Sequence, residues 1–168
     1  MSNTLFIVCP FSFMENTLKR KFGSNIYFIS CPGAIIPYKD DSFVELLKEA
    51  IIINRIKRVY FVNDTACTIL NSVLSNKTLF GLNAEFLIQS LCNAVYDKSL
   101  KGRTLQYQQF RLAEINLQYQ KEAFLTNGVF TDLVIDEQLE IKTLVTNRQM
   151  RIFKECRLQS SVKNAYEL

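Results

Sequence analysis

The sequence predicts an α/β domain with a mainly parallel central sheet flanked by helices. Two observations carry that prediction. Short strand-like runs alternate with helical patterns through the first half of the chain, the order expected of repeated strand–helix–strand units. The runs are apolar along their length rather than alternating, as strands covered on both faces are. A third observation sets the scale. The 168 residues, 48% hydrophobic and 21% charged, make one domain's worth of chain with enough apolar content for its own core. A single domain over 1–168 is expected, with its core over about 4–145 and a C-terminal tail over 147–168.

Each element has its own signal. Leu5-Phe6-Ile7-Val8-Cys9 is a buried strand, stopped by Pro10. Met14 to Phe22 is a short helix closed by Gly23. Asn25 to Cys31 is a second strand, halted at Pro32-Gly33. Asp41-Ser42 caps a helix whose apolar positions are Phe43, Leu46, Leu47, Ala50 and Ile51. Arg58 to Asn63 is a third strand, followed by a helix over Thr65 to Leu74. Asn83 caps a helix from Ala84 to about Tyr96, and Lys101-Gly102 turns the chain. Thr104 to Leu125 is a long, Gln-rich helix with a break near Phe110, ending at Asn127-Gly128. Val129 to Ile135 and Leu139 to Val145 are β-rich and read as a hairpin. The charged tail from Asn147 is partly helical in this reading.

Composition excludes several chemistries. The chain has no histidine, so it holds no Ser-His-Asp triad, no Cys-His pair and no HExxH zinc motif. A metal site must draw on Cys, Asp, Glu or backbone oxygen. The net charge of +4 is spread along the chain, without the clustered stripe of a nucleic-acid binder. The glycines form no GxGxxG or P-loop pattern. Cysteines at 9, 31, 67, 92 and 156 are odd in number and irregular in spacing, unlike a disulfide framework. No apolar run approaches the ~18 residues of a membrane span. A cytoplasmic protein with reduced thiols is expected, with no nucleic-acid or membrane partner.

In an open parallel sheet, ligands lie outside the carboxyl ends of the strands. Cys9, Phe11 and Phe13 follow the first predicted strand, Cys31 and Gly33 the second, and Asn63, Asp64, Thr65 and Cys67 the third. Three cysteines and one aspartate therefore converge on one edge. Buried cysteines that merely pack as small hydrophobes are the competing reading.

This order and these positions resemble the β-class carbonic anhydrases over roughly residues 4–145. That family carries Cys-x-Asp-x-Arg after its first strand and Gly-His-x-x-Cys after its third, and binds zinc through the two cysteines and the histidine. Cys9-Pro10-Phe11-Ser12-Phe13 falls on the first motif and Asn63-Asp64-Thr65-Ala66-Cys67 on the second. Gly33 matches the glycine of the turn after the second strand, and Glu114-Ile115-Asn116-Leu117 is similar to a Glu-Asn-Val helix segment. The resemblance implies zinc on Cys9, Asp64 and Cys67, with Cys31 as a possible fourth ligand, beside a pocket of Phe11, Phe13, Gly33, Asn63 and Thr65. It also implies a homo-oligomer, a dimer or larger.

The departures shape the functional expectation. Asp64 stands at the histidine position, and Phe11 and Phe13 replace the orienting Asp–Arg pair. Two thiolates and a carboxylate would give zinc a net negative centre, raising the pKa of bound water and making hydroxide scarce. Four ligands including Cys31 would close the site, leaving a structural rather than catalytic centre. The expected function is therefore a carbonic-anhydrase-like protein without ordinary CO2 hydratase activity, retaining a remnant metal or small-molecule pocket. The alternatives are a divergent zinc lyase acting on CO2/bicarbonate or another small molecule, and a structural or protein-interaction domain without a ligand.

Overall fold

The computed structural model describes residues 2–156. Five strands form one sheet in the order β2-β1-β3-β4-β5: β1 Asn3–Val8, β2 Ile26–Ser30, β3 Ile56–Asp64, β4 Glu140–Asn147 and β5 Ile152–Glu155. The first four run parallel, and β5 pairs antiparallel with β4. The α/β class with a mostly parallel sheet is as the sequence predicts. The helices are α1 Glu15–Phe22, α2 Asp41–Ile53, α3 Thr68–Leu74, α4 Asn83–Val95, α5 Leu105–Thr126 and α6 Thr131–Ile135.

Strand alternation divides the interior into two cores. Leu5, Ile7, Val59, Phe61, Ile141 and Val145 face the larger one, where they meet Leu47 of α2, Leu70 of α3, Ile88 of α4 and Leu117 of α5. Phe6, Val8, Tyr60, Val62 and Leu144 face the smaller one, closed by Met14 and by Leu18 of α1. Apolar runs on β1 and β3 thus serve both faces, although the two coverings are very unequal.

Several boundaries differ from the sequence reading, each for a physical reason. The cap of α2 is Asp40, whose carboxylate accepts from the Phe43 N–H at 3.0 Å. One residue of phase puts Val44, Leu47 and Ile51 inside and leaves Leu46 exposed. The helix after β3 starts at Thr68, because Asp64 to Cys67 form a tight turn closed by the Cys67 N–H on the Asp64 carbonyl. α5 runs unbroken through Phe110.

The predicted hairpin over 129–145 is not formed. Thr131–Ile135 is helical, and 140–147 pairs parallel with β3. Its β-branched residues favour a strand, but tertiary packing overrides them. Phe130 and Leu133, three apart, enter the core from a helical turn, and Phe130 stacks on Phe124 at 4.2 Å between centroids. The true hairpin is β4–β5. The described part of the tail is therefore a strand rather than a helix, and residues 157–168 lie outside the described residues.

Glu85, not Asn83, organises the start of α4. Its buried carboxylate accepts from the N–H groups of Leu79, Phe80 and Leu82 at 2.8 to 3.3 Å. Burial pushes this carboxyl up, but the converging N–H groups outweigh it and hold its pKa below the usual carboxylate value. The sign follows. The brace is intact above the unfolded-state pKa of about 4.3 and is lost as pH falls through the lower folded-state value. Glu85→Gln should speed hydrogen exchange at Leu79, Phe80 and Leu82 at neutral pH, whereas in the native chain these amides should lose protection only in acid.

Candidate functional site

The order β2-β1-β3 makes a switch point between β1 and β3, where connections leave to opposite sides of the sheet. Cys9 follows β1 and Cys67 follows the turn after β3, so both arrive at this crevice. Their sulfurs lie 3.4 Å apart, with the Cys67 S–H donating to Cys9, and both residues are fully buried. Cys31, after β2, is buried alongside.

Local sequence fixes each sulfur. Pro10 opens a 3-10 turn directly after Cys9, and the Ser12 hydroxyl donates back to the Cys9 carbonyl at 2.6 Å. After Cys31, Pro32–Ala34 form a second such turn, with Gly33 at φ 66°. That conformation aims the Gly33 N–H at the Cys9 sulfur, 3.2 Å away. The Gly33 carbonyl, on the other side, accepts from Asn63 Nδ2 at 3.1 Å and from Asn116 Nδ2 at 2.8 Å. Asn116 also donates to Asn63 Oδ1 at 2.7 Å. Two buried side-chain amides thus hold the carbonyl of the residue whose N–H faces the thiol. A Cβ on Gly33 would lie 2.9 Å from Ile88 Cδ1 and would carry a side chain into the left-handed region. Gly33→Ala should cost about 1–2 kcal/mol, read as a lower urea midpoint.

The electrostatics distinguish the three thiols. Cys9 is the one whose ionisation is favoured: the Cys67 S–H and the Gly33 N–H donate to it, against the opposing cost of burial. Cys67 is pushed up by that same bond and by burial. Burial and the neighbouring Cys9 push Cys31 up to about 12.

Asp64 is buried at the end of β3, but its carboxylate is committed. Oδ1 accepts from the Ala66 N–H at 2.9 Å. Oδ2 accepts from the Thr146 hydroxyl at 2.7 Å and from the Arg148 N–H at 3.0 Å. Thr65 is buried and donates its N–H to the Thr146 carbonyl at 2.8 Å. The segment after β3 is therefore laced to the end of β4. Phe11 stacks on Phe80 at 4.5 Å. Phe13, at φ 53°, turns outward and is 67% exposed, so it does not line the interior beside the thiols.

The structure thus gathers Cys9, Cys67, Cys31, Gly33 and Asn63, and directs the Asp64 carboxylate away to the end of β4, where Thr146 and Arg148 donate to it. Sequence reasoning missed Thr146 and Arg148 altogether and gave Asn116 no role of its own. The available signal for Asn116 was a polar residue among Leu112, Ala113 and Leu117, which are all buried on one helix. Zinc needs at least three protein ligands with an open position, or four without one. Two soft sulfurs suit it. Among the described residues, however, no group of three His, Cys, Asp or Glu is placed to hold a metal ion. The donors present do not fit a catalytic zinc centre.

Together, the sheet order and the paired cysteines at its switch point define an α/β protein of β-carbonic anhydrase fold. Two tetrameric β-carbonic anhydrases from Sordaria macrospora have been solved, and the chain superimposes on this structure with a TM-score of 0.79 at 14% identity, covering 94% of this chain and 81% of that one. The β-carbonic anhydrase CafA of Aspergillus fumigatus gives 0.79 at 19% identity, over 98% and 81%. The Coccomyxa enzyme in complex with acetazolamide gives 0.67 at 13%, over 92% and 71%. At these identities the likeness establishes the fold. No protein-family model and no curated protein matches the sequence. Among the described residues, no helix is long and apolar enough to cross a membrane.

Proposed function

We propose that this chain is a carbonic-anhydrase-fold protein without ordinary CO2 hydratase activity, which keeps the pocket around Cys9, Cys31, Asp64 and Cys67 as a remnant centre for a metal ion or small molecule. One observation carries the reading: the carboxylate at the expected third-ligand position already accepts three hydrogen bonds from the protein. Hydration of CO2 needs a hydroxide generated at neutral pH and a group that orients it. The first motif supplies Phe11 and Phe13 where such a group would stand, and the chain has no histidine to carry protons away.

The test is stopped-flow CO2 hydration on the whole chain, as purified and after added zinc. The expected rate is that of buffer alone. A zinc-dependent rate that disappears in Cys67→Ser would overturn the reading and favour a divergent lyase. Metal analysis of the purified chain defines the pocket's occupant: stoichiometric zinc lost in Cys9→Ser assigns it to a metal.

The reading extends to a homo-oligomer, a dimer at the smallest, in a reducing, cytoplasmic compartment. Exposed Phe13, Leu79, Phe80 and Phe86 support an interface near the thiols, since Phe80 stacks on Phe11 of the segment that follows Cys9. Sedimentation velocity checks it, a monomer at micromolar concentration being the contrary result.

A further inference from the structure

We infer that Cys9 and Cys67 are a redox pair that closes into a reversible disulfide under hydroperoxide. This goes beyond the proposed function. It concerns the two thiols of the metal-free chain, and it stands whether or not the chain hydrates CO2.

The geometry carries the inference. The sulfurs are 3.4 Å apart and face each other, with the S–H of one directed at the other. Bonding requires an approach to about 2.0 Å, a movement of the kind side-chain rotation and slight loop shifts supply. The two cysteines are 58 residues apart in sequence, so the fold alone brings them together. No carboxylate competes for them, because that of Asp64 is bound elsewhere.

The roles of the pair are asymmetric. The Cys67 S–H points at Cys9 and the Gly33 N–H donates to the same sulfur, so Cys9 is the acceptor of the pair. Cys9 is therefore the attacking sulfur. Both residues are fully buried, so any reagent reaches them only as the crevice opens locally, and the smallest opening admits hydrogen peroxide, which is little larger than water.

The chemistry balances. The Cys9 thiolate attacks one oxygen of the peroxide, the O–O bond breaks, and hydroxide leaves, giving a sulfenic acid. The Cys67 sulfur then attacks the Cys9 sulfur, the S–O bond breaks and a second hydroxide leaves. The two thiol protons convert these to water. In sum, two thiols and one peroxide give one disulfide and two waters, the sulfurs being oxidised and the peroxide reduced. A dithiol reductant reverses the change. The product ties the end of β1 to the start of α3 and removes both soft donors from the crevice.

The five cysteines fall in five different tryptic peptides, so the bridge is read directly. Cys156 is the partly exposed thiol, and Cys156→Ser serves as background so that pairing between molecules does not intrude. The reduced full-length chain, stripped of metal by a chelator, is treated with hydrogen peroxide, alkylated in denaturant and digested. The expected result is a linked pair of peptides 1–19 and 59–77, an intact mass lower by two hydrogens, and full reversal by dithiothreitol in denaturant. Adding Cys31→Ser should leave the bridge in place, and adding Cys67→Ser should abolish it. The inference is overturned if Cys9 pairs with Cys31, if Cys9 proceeds to sulfinic acid while Cys67 stays reduced, or if both remain alkylatable while other thiols oxidise. Mapping the background chain needs no further substitution, so a misfolded variant does not obscure the outcome.

Discussion

Asp64→His, the single change that would place a histidine beside the two cysteines, is expected to destabilise the protein rather than create a zinc site. The buried carboxylate accepts from the Ala66 N–H, the Thr146 hydroxyl and the Arg148 N–H. An imidazole has one acceptor nitrogen at most, so two donors would lose their partner. Bonds to a charged group contribute about 1.5–3 kcal/mol each, and a buried donor left unpaired costs about 1–3 kcal/mol. Some of these donors sit near solvent and recover water. A net loss of about 2–4 kcal/mol in urea denaturation is expected. Asp64→Asn should cost less, since the amide oxygen and nitrogen keep the shape and part of the bonding. Unchanged stability in Asp64→His, with stoichiometric zinc, would show that the carboxylate is dispensable and that the two cysteines need only an imidazole to hold a metal.

The second large effect is in the core. Phe124→Ala should cost about 3–5 kcal/mol, a major share of the 5–15 kcal/mol that holds a typical domain together. Phe124 is fully buried, stacks on Phe130 at 4.2 Å and meets Phe61 edge-on at 5.9 Å. Truncation leaves a cavity between α5, α6 and β3 that aromatic neighbours cannot collapse to fill. Phe13→Ala, at a side chain 67% exposed, is the control and should change stability by less than about 0.5 kcal/mol. Similar losses for the two would contradict the burial assigned to Phe124.

What the sequence disclosed, it disclosed through local pattern. Leu5 to Val8 and Val59 to Val62 are unbroken apolar runs, and a run that length between turn residues has few other uses. The meeting of Cys9 and Cys67 was legible for the same reason, because both stand just past such runs in parallel strands. The segment Val129 to Ile135 misled because its β-branched residues speak of local preference, whereas Phe130 answers to Phe124 across the core. Asp64 was legible in position and not in orientation. The groups that turn its carboxylate are Thr146 and Arg148, and no spacing near residue 64 announces them. Likewise, the outward turn of Phe13 follows from a left-handed backbone angle on a residue type that rarely adopts one.

The lacing of Asp64 to residues 82 and 84 positions downstream has a consequence for synthesis. The ribosome delivers β1, β2 and β3 long before β4, so the central ladder β3–β4 waits for most of the polypeptide to emerge. Until then the acidic side chain and the exposed flank of β3 have only water, or a chaperone, for company. The turn that carries Asp64 is thus among the last places in the molecule to be sealed.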